Sequence, residues 1–184
     1  MTVKFKAVVI NNQNEKFTRD IKEIDRSHFN DGNVLIKIDY SSLNYKDALI
    51  LKDGGKIVRK FPFVPGIDFS GKVVESGDDK FKKDENIICT GFRVREMYNG
   101  GFSQYAKVDS NFLIKNPKNI DAEQSMMLGT AGFTALQCSF AIKAREELLL
   151  GEKVNDVLVT GATGGVGSIA IMILSKMGYN VHAG

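Results

Sequence analysis

The sequence predicts an α/β protein in two parts: a β-rich segment bent into a small barrel over 1–120, and the opening of a parallel-sheet domain over 121–184. Three observations carry this. Short apolar runs with a period of two, separated by turn residues, fill the first part. Glycines such as Gly66 and Gly71 fall next to or inside those runs, which marks corners and close backbone approach. Finally, Asp156 to Gly167, Asp-Val-Leu-Val-Thr-Gly-Ala-Thr-Gly-Gly-Val-Gly, passes from a buried strand through a glycine turn into a helix start.

Composition narrows the class. A chain of 184 residues, 43% hydrophobic, can bury a sizeable core in one domain or two small ones. The net charge is only +3, with lysines scattered among acids, so no basic stripe points to nucleic acid. No segment is expected to reach the length of a bilayer span, and the N-terminal stretch lacks the longer apolar core of a signal peptide; no membrane role and a cytoplasmic address are expected. Cys89, Cys138, His28 and His182 are each isolated, so no metal site or disulfide framework is expected.

Val3 to Ile10 and Phe17 to Ile24 read as an antiparallel pair joined by the polar turn Asn11-Asn12-Gln13-Asn14. Asn33 to Tyr40 alternates, with Val34, Ile36, Ile38 and Tyr40 on one face. Ser41 to Asp47 then breaks the alternation and leads into a short helix, Ala48 to Leu51, closed by Gly54-Gly55. Asn44 reads as its cap and Asp47 as a first-turn acid, while the same side chains also suit the mouth of a cleft. Phe61-Pro62-Phe63-Val64-Pro65-Gly66 is an extended, stiff connector. Strands follow at Gly66 to Val74, Glu85 to Thr90, Phe102 to Val108 and Phe112 to Lys115, with a loop holding Arg93, Arg95 and Glu96.

Asp121-Ala122-Glu123-Gln124 resembles a capping box. Its helix runs to Gly129, Thr130-Ala131-Gly132 is expected to break it, and a second helix runs from Phe133 to about Ala144. A charged link around Arg145-Glu146-Glu147 and Gly151-Glu152-Lys153 precedes the strand Val157-Leu158-Val159. After it, Gly161, Gly164, Gly165 and Gly167 form a turn with few Cβ atoms, Ser168 to Met177 a helix, and Tyr179 to Ala183 a returning strand. A strand, glycine turn, helix and strand in this order form the unit that holds a dinucleotide pyrophosphate at a helix N-terminus. The spacing is Gly-x-x-Gly-Gly-x-Gly rather than Gly-x-Gly-x-x-Gly. A triphosphate P-loop is disfavoured, because Ser168 stands where that motif needs Lys.

Four separated motifs, Ser41 to Ala48, Phe61-Pro62 with Pro65 to Gly71, Gly129 to Ala135, and Thr160 to Gly167, together resemble the medium-chain dehydrogenase/reductase superfamily. They resemble most its zinc-independent branch of quinone oxidoreductases and acryloyl-coenzyme A reductases. The resemblance implies a GroES-like β-barrel domain followed by the first part of a Rossmann dinucleotide-binding domain. It implies NADPH as cofactor, an enoyl thioester or a quinone as small-molecule substrate, and a homodimer in the full-length form. Zinc alcohol dehydrogenases carry catalytic ligands at positions matching Asn44, Ile67 and Thr130, none of which replaces a thiolate or imidazole.

The same resemblance places Tyr45 against the nicotinamide or its ribose, with Asn44 and Asp47 shaping that wall. It makes Thr130 a further cofactor contact, and puts the first-turn amides of Val166, Gly167, Ser168 and Ile169, beside Gly161, Gly164 and Gly165, on the pyrophosphate. Leu49 stands near the position where classical quinone reductases have a tyrosine, which favours the thioester. No acid follows the glycines through Gly184, where one would select NADH. Only the first βαβ unit of the Rossmann domain is present, so the chain is expected to be a fragment with little reductase activity alone. A second class stays open: a non-catalytic GroES-like interaction module bearing a vestigial nucleotide-binding turn.

Overall fold

Strand pairing in the first unit follows the alternation. In the computed structural model, which describes residues 4–13, 16–29, 32–53, 57–94, 96–148 and 153–184, β1 (Phe5–Gln13) and β2 (Lys16–Ile24) form an antiparallel hairpin. The ladder runs to Gln13 opposite Lys16, so Asn11, Asn12 and Gln13, expected in the turn, are paired instead. Asn14, Gly54, Gly55, Arg95, Gly151 and Glu152 lie outside the described residues.

A five-stranded antiparallel sheet follows in the order β6-β3-β4-β5-β7, built from β3 (Val34–Ser42), β4 (Asp68–Ser76), β5 (Asn86–Thr90), β6 (Tyr105–Val108) and β7 (Leu113–Lys115). Val34, Ile36, Phe69, Val73, Ile87 and Cys89 fill its core. The expected alternation in β3 fails at Tyr40, which is exposed, and at Leu35, which is buried. The cause is register: pairing with β4 shifts between Leu35 and Ile36 and again between Ile38 and Tyr40, and a one-residue slip turns the following side chains to the other face. At Gly71, a Cβ would overlap the Lys37 carbonyl, so glycine is needed where the strands draw together. The hairpin is tied to the segment leading into β6 through Val8 N–H to the Phe102 carbonyl (2.8 Å) and Gln104 N–H to the Lys6 carbonyl (3.0 Å).

Helix α1 (Tyr45–Asp53) begins three residues earlier than expected. Helix α2 (Ala122–Leu148) opens on the expected capping box: Gln124 N–H donates to Asp121 Oδ1 (2.8 Å) and Asp121 N–H to Gln124 Oε1 (3.1 Å). Its break lies at Gly129, with φ 46° and ψ −149°, and not at Thr130 to Gly132, which are helical. Glycine at the left-handed position takes the turn, and Gly132 needs no such conformation. By length and composition α2 would qualify as a membrane span, against the sequence expectation, although buried core helices meet that test too. Arg145 to Glu147, expected in a link, continue the helix.

The compact units divide at Gly129 and Thr130, some residues beyond the boundary expected from sequence. In the second unit, β8 (Asp156–Val159), α3 (Gly165–Lys176) and β9 (Asn180–Ala183) form a βαβ unit with β8 and β9 parallel. Glu146 ties its lower end together, accepting from Val154 N–H (2.8 Å) and from the Tyr179 hydroxyl (2.7 Å). Replacing Asp121 by alanine removes one arm of the capping box, and urea unfolding followed by circular dichroism should show a loss of about 1 kcal/mol.

Candidate functional site

In the first unit the polar residues past β3 converge because of strand register. Ser42 lies opposite Asp68, and Asp68 opposite Thr90, so the ends of β3 and β5 and the start of β4 form one row. Asp68 is fully buried, and its Oδ2 accepts from Ser42 Oγ (2.6 Å) and from Asn44 Nδ2 (3.0 Å). The Asn44 side chain is thus turned to a carboxylate. Its main chain, not its side chain, serves the helix start: the carbonyl accepts from Asp47 N–H (2.9 Å) and Ala48 N–H (3.3 Å).

Asp47 is also fully buried. Its Oδ2 accepts from Asn44 N–H (2.9 Å) and its Oδ1 from Ile67 N–H (3.2 Å), so one carboxylate holds the start of α1 against the residue that leads into β4. That geometry makes Asp47 a positioning group for Asn44 and Tyr45 rather than an exposed wall. Tyr45 itself, the first residue of α1, is 80% exposed and leaves its phenol open to solvent. Gly129 closes the cluster from α2: a Cβ there would stand 2.7 Å from Asp68 Oδ2 and 2.8 Å from Ser42 Oγ. Any side chain at this position would press on the buried carboxylate.

Ser42 and Asp68 escaped sequence reasoning. The available signal was an acid in an apolar strand bounded by glycines, Gly66-Ile67-Asp68-Phe69-Ser70-Gly71. Behind them, burial pushes the Cys89 thiol up, and the charge of Asp68 acts in the same sense, so this cysteine stays a neutral core residue.

In the second unit the glycine turn is exposed except for Gly167. A Cβ at Gly167 would overlap the Gly161 carbonyl, so the turn and the first helical turn of α3 approach too closely for a side chain. Gly161 has φ 64°, a conformation that glycine adopts freely. Gly164 caps α3 without any side-chain hydrogen bond, and no acid occupies the first turn. Ser168 N–H donates to the Gly164 carbonyl (2.9 Å). This bond removes the Ser168 amide from the set expected to face a phosphate, and Ile169 lies a residue deeper in the helix. Gly165, Val166 and Gly167 stand ahead of that first i to i−4 bond and keep the positive end of the helix bare. Thr130 is half-buried, and its carbonyl accepts from Thr134 Oγ1 (2.8 Å). Its neighbour Ala131 packs against Gly165, with 3.3 Å between the Ala131 Cβ and a Cβ built there.

Comparison with known proteins bears on the fold of both units. Residues 30–118 match the alcohol dehydrogenase GroES-like domain. The chain is 42% identical over 181 residues to the acrylyl-CoA reductase AcuI of Ruegeria pomeroyi, covering 97% of this chain and 54% of that protein. The crystal structure of the yhdH oxidoreductase from Salmonella enterica in complex with NADP matches with a TM-score of 0.89 at 39% identity, over 97% of this chain and 54% of that one. The Bacillus subtilis protein yhfP with NAD bound matches with a TM-score of 0.88 at 39% identity, over 99% of this chain and 54% of that one. The chain spans about half the length of the curated relatives it matches.

Asp47→Ala orphans two backbone donors and should destabilise the first unit by roughly 2–5 kcal/mol in urea unfolding. Asp47→Asn, which retains one acceptor, should lose less.

Proposed function

Because this chain belongs to the medium-chain dehydrogenase/reductase superfamily, we propose that it carries part of an NADPH-dependent reductase for an activated carbon–carbon double bond, as in an acryloyl-coenzyme A-like enoyl thioester, or for a quinone. The observation that carries the reading is the bare start of α3. Three glycines and an uncapped N-terminus without an acid suit a doubly charged pyrophosphate, which backbone amides can approach without meeting a Cβ. Gly161, Gly164, Gly165, Val166 and Gly167 would hold it, with Thr130 as a further contact.

NADPH, when bound, supplies the hydride. The chain's own residues have to orient the acceptor and meet the negative charge that develops on its carbonyl. Tyr45 is the exposed hydrogen-bond donor suited to the nicotinamide, its ribose or that carbonyl. Asn44, held by Asp68 and Ser42, and Asp47, holding the start of α1, fix the backbone from which Tyr45 projects. Asn44, Ile67 and Thr130 provide no thiolate or imidazole, and this reading routes no step through zinc. The thioester is preferred to the quinone because Leu49 lacks a phenol. NADPH is taken from the family resemblance and from a relative solved with NADP, although another was solved with NAD. A cytoplasmic homodimer in the full-length form completes the proposal.

One feature favours a second reading, a non-catalytic module that docks on another surface. Leu158 is 65% exposed on β8, and Phe140 and Met172 are exposed on the helices of the same unit.

Calorimetric titration separates the two. The 184-residue chain should bind NADPH in the micromolar range, and silence would support the module. Gly164→Asp places an acid at a position with extended backbone, where a Cβ would stand 3.2 Å from the Gly161 carbonyl oxygen and needs a shift of a few tenths of an ångström. It should keep the fold, because aspartate caps helices well, yet weaken NADPH at least tenfold by setting a negative charge where the pyrophosphate belongs.

A further inference from the structure

Beyond Thr90 the chain does something its residues do not favour. Gly91, Phe92 and Arg93 have φ of 86°, 53° and 60°, three successive left-handed residues of which two carry side chains. A bulky residue in this region is an outlier, and such strain persists only where the surroundings enforce it. Here they do. Val94, directly after, is fully buried, and its N–H donates to the Gly91 carbonyl (3.1 Å). The Phe92 ring stacks on Phe112 at 5.3 Å between centroids. The Arg93 carbonyl accepts from the amides of Glu96 (3.0 Å) and Met97 (3.0 Å), with Tyr98 at 3.5 Å.

The outcome of this constraint is one arginine fixed at its root, with a side chain 69% exposed, whose ion pair to Glu96 is long, Nε to Oε2 3.9 Å. Strand register gives its place. Ser42, Asp68 and Thr90 share a row, so the segment entering Asn44 and Tyr45 and the segment holding Arg93 leave the same end of the sheet from strands two apart, about 10 Å.

We infer that Arg93 is a substrate-specificity residue, binding a phosphate of the coenzyme A portion of an acyl thioester at the rim of the Asn44 and Tyr45 site. The inference rests on the reductase reading and narrows its substrate to a phosphate-bearing thioester. A thioester presents its acyl group to the chemistry, while the pantetheine arm carries the phosphates away along the rim. A guanidinium is the side chain best matched to them. A quinone carries no phosphate for it to pair with. The strain fits a group retained for a ligand: glycine would suit φ 60° better but would bring no charge.

The test compares the 184-residue protein with Arg93→Gln and Arg93→Gly by calorimetry against coenzyme A, pantetheine and NADPH, with thermal melts alongside. Both variants should weaken coenzyme A about tenfold and leave pantetheine and NADPH unchanged. Arg93→Gly should also melt higher by roughly 2–4 °C, because relief of strain and loss of binding then come from one substitution. Unchanged coenzyme A affinity in the variants, an equal loss with pantetheine, absence of coenzyme A binding in the parent, or a lower melting temperature for Arg93→Gly would each overturn the inference. If the parent fails to bind NADPH yet shows Arg93-dependent binding of coenzyme A, the reductase reading falls, the substrate-specificity role falls with it, and only the phosphate contact at Arg93 stands.

Discussion

The close approach of Gly161 to Gly167 is the constraint on which the second unit depends. Strand β8 ends and α3 begins within a few residues, so the Gly161 carbonyl lies where a Cβ of residue 167 would be. Glycine there lets the helix start against the turn, and the resulting N-terminus has no side-chain cap of its own. Packing and chemistry are therefore one feature. The residues that allow the chain to fold at this corner are those that leave amides and the helix dipole available to an anion.

The first unit solves the complementary problem of holding polar side chains at the end of a sheet. Two buried carboxylates organise it in different ways. Asp47 accepts from the main-chain amides of Asn44 and Ile67, and Asp68 accepts from the side chains of Ser42 and Asn44. Charged hydrogen bonds to buried carboxylates are strong and costly to break, so the start of α1 is set in position before any ligand arrives. Gly129, with no side chain to crowd Asp68, lies directly against the cluster.

Much of this was legible in the sequence because it is local. The βαβ unit around the glycines follows from periodicity and turn chemistry over a short span. So does the capping box at Asp121 and Gln124, whose bonds join residues three apart. What was not legible is made between distant residues. Nothing near Asn44 says that its amide will turn to Asp68, because that choice is fixed only when β3 and β4 pair. Tyr40 was placed on the wrong face because two register shifts in that pairing leave no trace in the alternation. The left-handed run at Phe92 and Arg93 is likewise hidden, since neither residue type announces it and the buried Val94 that enforces it acts through the tertiary fold. The Ser168 amide was misassigned for a simpler reason: the helix start lay close enough for that amide to be used by Gly164.

The account turns on main-chain amides receiving a pyrophosphate. Amide chemical shifts of the isotopically labelled chain during an NADPH titration test this most directly. The largest changes should fall on Gly165, Val166 and Gly167, with Ser168 held by its bond to Gly164 and moving less. Saturable binding that shifts amides elsewhere and leaves these three unmoved would contradict it.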